Sequence, residues 1–158
     1  MKGVPRWDSL EVLSVGLPFC VFKIAAGAAL RPGAWGAAGL GLIALGGVDL
    51  LFNGANFAGL VLLRRRVLDA CFLSFGARLL LAPARKSRRR LQDFGNSLDV
   101  LISFSLVAYM VGAGRLKELP PQLLAFWNAA VVLNVLGAGL GRFTESYGNL
   151  SRDGGSIP

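Results

Sequence analysis

Four long apolar stretches constrain this chain more than anything else in it: 10–30, 36–63, 98–114 and 123–140. Each is long enough, or nearly so, to cross a hydrocarbon core of about 30 Å as a helix rising about 1.5 Å per residue. The chain has 158 residues, of which only 16% are charged, whereas soluble domains carry about 25%. The expectation is an all-α integral membrane bundle of four transmembrane helices, forming a single domain over 1–147. The second stretch would reach about 42 Å, so it must tilt, bend or project. Gly46-Gly47 offers a bend point. The third is short, and its helix can begin earlier, near Phe94.

Charge gives the bundle an orientation. The net charge is +8, and residues 64–90 hold nine basic side chains against one acid, Asp69. That segment accounts for the whole excess. A basic protein invites a nucleic-acid reading, but a block of charge between apolar stretches is a topology signal. It places residues 64–97 and both termini in the cytoplasm, in a plasma (inner) membrane, with no nucleic-acid partner. Lys2 and Arg6 precede the first stretch, and Ala26-Gly27-Ala28 has the small-x-small look of a cleavage site. Lys23 interrupts the apolar run, and Asp8 and Glu11 dilute the basic lead. A retained span is therefore expected rather than a signal peptide.

The basic segment also has a pattern. Leu68, Cys71, Phe72, Phe75, Leu79 and Ala82 share one helical face, which Asp69, Ser74 and Arg78 avoid. Pro83 stops the run. The spacing predicts an amphipathic helix over 67–82, lying on the cytoplasmic interface between the second and third spans. Arg64, Arg65 and Arg66 before it, and Arg85, Lys86, Arg88, Arg89 and Arg90 after it, are predicted to meet anionic lipid head groups. Cys20 and Cys71 read as small buried hydrophobes. Residues 148–158 read as a disordered tail.

Ionisable groups inside a span are expensive, so each needs a partner or a purpose. Lys23 and Asp49 lie at comparable depth on adjacent antiparallel spans and are expected to pair. Asp49, Asn53 and Asn56 fall at i, i+4 and i+7, one polar stripe on the second span. Ser103 on the third span and Asn134 on the fourth extend it. The expected intramembrane seam is thus Lys23, Asp49, Asn53, Asn56, Ser103 and Asn134. Asp99 is expected near the inner interface, where Arg88–Arg90 would neutralise it. The seam fits either interhelical glue or a hydrophilic pathway.

Histidine is absent, and two cysteines cannot build a thiolate cluster. No nucleophile elbow, phosphate loop or dinucleotide fingerprint occurs. Neither an enzyme, a metal site nor a cofactor is expected. The two halves share no polar spacing, which argues against an inverted-repeat transporter. The leading expectation is a non-enzymatic subunit or accessory factor of a membrane complex, with glycine and alanine faces on the second and fourth spans meeting other subunits or a second copy. The alternative is a small transporter or channel that uses the seam for an ion or proton.

Overall fold

Hydropathy and helix breakers together set the element boundaries. The computed structural model describes residue 10 and residues 12–69, 71–81 and 88–153, with 141–153 described by backbone only. A π-helical turn, Val12–Gly16, leads into α1, Leu17–Leu30, with Pro18 in its first turn, where a missing N–H costs nothing. Then follow α2, Gly36–Leu62, α3, Phe72–Leu81, α4, Arg88–Gly112, and α5, Pro121–Asp153. A single 3-10 turn, Arg115–Glu118, separates α4 from α5. Gly114 precedes that turn at φ 65°, a left-handed position open to a residue without Cβ. No strand occurs among the described residues. Four helices are long and apolar enough to cross a membrane: Val12–Leu30, Gly36–Leu62, Asp93–Gly112 and Pro121–Leu140.

The first of these is the hub. It is 61% buried, against 22%, 22% and 11% for the other three, so they pack around it. Its hairpin with α2 depends on glycine. A Cβ on Gly27 would lie 2.5 Å from the carbonyl oxygen of Gly39, and one on Gly46 would lie 2.9 Å from that of Cys20. The two backbones can approach this closely only without side chains. On another face α5 runs antiparallel to α1. The Phe22 and Trp127 rings lie 4.9 Å apart, and Asn134 Nδ2 donates to the Ser14 carbonyl at 3.1 Å. Phe22, Ala25, Ala26, Met110 and Trp127 form an apolar core in the half of the bundle toward Leu30. The opposite end, where α2 stops at Leu62 and α4 starts at Arg88, is the basic end.

Three boundaries differ from expectation. The third apolar helix starts at Arg88, not 98, because Arg88–Ser97 is polar but holds no proline to stop it. α5 continues as helix through Asp153, where a tail from 148 was expected; no proline interrupts it. Between α2 and α4 the described residues are helical over Phe72–Leu81, where a helix over 67–82 was expected; residues 70 and 82 lie outside the described residues. The part before this helix is a non-helical strap, and Cys71 and Ser74 are the buried positions beside the exposed Phe72 and Leu79. Of the expected apolar face Cys71 is buried and Phe75 packs edge-on against Phe52 of α2, while Ser74, expected on the polar side, packs against α4 because Gly95 leaves room there. A Cβ on Gly95 would lie 2.5 Å from the Ser74 Cα.

Candidate functional site

The strap sets up the site. After Leu62 the chain reverses at Arg64, which takes a left-handed φ of 54°. It then runs back along α2 toward the middle of the bundle. Val67 fills the space beside Gly59. Asn56 Oδ1 accepts the Val67 and Leu68 N–H groups at 3.0 and 2.8 Å, and its Nδ2 donates to the Asp69 carbonyl at 3.0 Å. Each non-helical backbone group buried here needs such a partner. Two turns further from the end of α2, Asp49 Oδ1 accepts the Phe72 N–H at 2.6 Å. That bond caps the start of α3, where the helix dipole also favours a carboxylate. From there α3 returns to the basic end against α4, with Ser74 Oγ donating to Asn96 Oδ1 at 2.6 Å. Residues 63–81 are thus a re-entrant hairpin wedged into the bundle.

At the hairpin's tip lies a three-membered charge centre. The Lys23 ammonium donates to Asp49 Oδ2 at 2.5 Å and also to Asp99 Oδ1. Lys23 and Asp49 are fully enclosed, while the Asp99 side chain keeps 9% of its exposure. Asn53 Nδ2 holds the Asp49 carbonyl at 2.9 Å and faces Cys20 Sγ at 3.6 Å. Gly16 admits that amide, since a Cβ there would lie 2.1 Å from Asn53 Oδ1. The centre carries one positive and two negative groups.

A cavity of about 110 Å³ adjoins this centre. It extends from Val12 and Arg66 to Lys23, Asp49 and Asp99, with Cys20, Cys71 and Asn96 in its wall. It therefore occupies the half of the bundle toward the basic end. Toward the other end Phe22, Met110 and Trp127 close the core. Burial pushes the Cys71 thiol up from its ordinary range, so it stays protonated and is no nucleophile.

The expected Lys23–Asp49 pair is present, and Asn53 and Asn56 stand beside it as the stripe required. Asp99 corrects the reading: it lies three turns inside α4 and pairs with Lys23, not with Arg88–Arg90. Its misplacement follows from the late start assigned to that helix. Ser103, one turn beyond Asp99, is buried with no hydrogen-bond partner. Asn134 lies apart, on the α1–α5 contact. Of the basic residues, Arg64, Arg65 and Arg90 are exposed. Arg66 is half-buried and lines the cavity. Arg85 and Lys86 lie outside the described residues, as do the side chains of Arg88 and Arg89. Arg66, expected at lipid head groups, and Asn96 both line the cavity; the π-helical turn Val12–Gly16 has no signal in the sequence. Among the described residues no group of three side chains is arranged to hold a metal ion. The chain matches no family model, no curated protein and no solved structure.

Proposed function

We propose that this is a non-enzymatic, multi-pass integral membrane protein acting as a small subunit or accessory factor of a membrane complex. Its basic end, with both termini, faces the cytoplasm of a plasma membrane, in keeping with the positive-inside rule. There Arg64, Arg65 and Arg90, with the basic residues 85–89, meet anionic head groups, and the flank of α3 bearing Phe72 and Leu79 touches lipid. Non-helical backbone is tolerated at such depth only inside protein, which supports reading the seam as internal scaffolding: Asn53, Asn56 and Asp49 spend their polar atoms on this chain's own backbone.

The observation that carries the subunit reading is a row of small residues that nothing among the described residues covers. Part of the glycine face of α2 is consumed by α1, at Gly39 and Gly46. Gly47 and Gly54 face elsewhere, with no neighbour within 4 Å, and exposed Ala58 continues their row. Small residues at this spacing let a second helix approach closely. Extraction in mild detergent followed by mass spectrometry tests the reading. A stoichiometric membrane partner, or a defined homo-oligomer, should co-purify and be lost in Gly54→Leu, a change that meets no neighbour within this chain. A lone monomer, equally unaffected by Gly54→Leu, would overturn it.

The second reading is transport of an ion or proton through the seam, favoured by the cavity beside the charge centre. Flux in reconstituted vesicles, abolished by Asp49→Asn with the fold intact, would establish it.

A further inference from the structure

We propose that Asp99 is an exchangeable proton-binding site, loaded from the basic end through the cavity. The count of charges begins the argument. Lys23 can neutralise one of its two carboxylates, so these three groups together carry one negative charge in excess; Arg66 is the other cation on the cavity wall. Such an excess is costly unless it is paired, hydrated or neutralised.

Asp49 has both oxygens occupied. One of its oxygens is held by Lys23, the other by the Phe72 N–H at the start of α3. Neither oxygen is left facing the cavity without a partner. Asp99 differs. Lys23 holds one oxygen; among the described residues the other has no hydrogen-bond partner, and the side chain lines the cavity. The residue is 6% exposed, so its free oxygen meets the cavity and little else. The charged and titratable groups around it are few. Lys23 and Cys20 face it from α1, Asp49 from α2, and Arg66 and Cys71 from the strap. From α3 comes Ser74, bonded to Asn96.

A proton fits this site better than a metal ion. The ammonium already sits between the two carboxylates and repels a second cation. A hard metal ion wants about six oxygen ligands, whereas a proton needs one. The cavity has room for a short run of waters to carry it. In the loading step a cavity hydronium donates its proton to the free Asp99 oxygen. The carboxylate becomes a carboxylic acid, the hydronium becomes water, and nothing is oxidised or reduced. Lys23 remains an ammonium, held by Asp49 and by the acid's other oxygen. The centre passes from one negative charge to zero. Ser103 lies one turn on along the same face, its side chain leaning back toward Asp99 as helical side chains do. Its unpartnered hydroxyl stands ready on that side.

The inference depends on neither a partner nor transport, so its test uses the purified full-length protein in nanodiscs. Infrared difference spectra across a pH series read the carboxylic acid C=O band, identified by its shift in heavy water. The other carboxyl groups give bands of their own in acid, so Asp99 is read as the band, titrating in a single step, that the wild type shows and Asp99→Asn lacks. In Lys23→Met/Asp49→Asn the ammonium is gone, and the band should persist into more alkaline solution. That variant decides the matter if Asp99→Asn does not fold. Wild-type and Asp99→Asn spectra that match at every pH, or an Asp99 band unmoved in the double variant, would each overturn the proposal.

Discussion

Lys23 is the residue on which most of the molecule's electrostatics turns. It is shared by two aspartates, so its loss and theirs are unequal. Lys23→Met would leave two carboxylates buried without a cation, which should cost about 3–5 kcal/mol. Asp49→Asn keeps the Lys23–Asp99 pair and retains an oxygen for the Phe72 N–H, so it should cost much less. Thermal unfolding in detergent can rank the two. Equal losses would mean that the three groups do not act as one centre. The buried thiol makes a second residue-scale prediction. In the folded protein Cys71 holds its proton beyond the pH at which an unfolded cysteine releases it. Its contribution to stability is therefore intact below the ordinary thiol range and declines as the pH rises from there toward the raised folded value. A maleimide should label Cys71 slowly at about pH 8 and rapidly after denaturation; rapid labelling of the folded protein would contradict the burial. The Lys23–Asp49 pair was legible in the sequence because the cost of unpaired charge leaves few partners. Asp99 was not, since its depth depends on where α4 begins, and polar Arg88–Ser97 hides a helix from a hydropathy window.

At the scale of elements, the re-entrant hairpin is what no periodicity announced. Apolar spacing over 67–82 pointed to a helix resting on its Leu68–Ala82 face. The strap is instead held by hydrogen bonds from Asn56 and Asp49, which leave no trace in the spacing of the residues they bind. α3 then packs by its small Ser74 side, because Gly95 lets two backbones meet. Gly95→Val should therefore force α3 off α4, at a cost of about 1–3 kcal/mol for overpacking. Limited proteolysis and hydrogen exchange over 63–81 would report it. Protection equal to the wild type in that segment would show that the contact is looser than described.

For the whole molecule, the four long helices follow directly from hydropathy, and their order around α1 follows from where glycine permits close approach. Orientation can be tested with introduced cysteines, since Cys20 and Cys71 are buried and give little background. An impermeant reagent on intact cells should label Gly33→Cys and spare Arg90→Cys; the reverse pattern would invert the molecule.

The shared lysine also has a consequence in time. Lys23 and Asp49 both emerge from the ribosome before Asp99, and each already has its partner in the α1–α2 hairpin. That hairpin can enter the bilayer electrically balanced, whereas Asp99 arrives later as an acid still seeking a cation. Its span is the one that must wait for a finished neighbour. The order of synthesis thus stores the cation in place before the second acid needs it, and a chain arrested after α2 should insert stably while α4 alone should not.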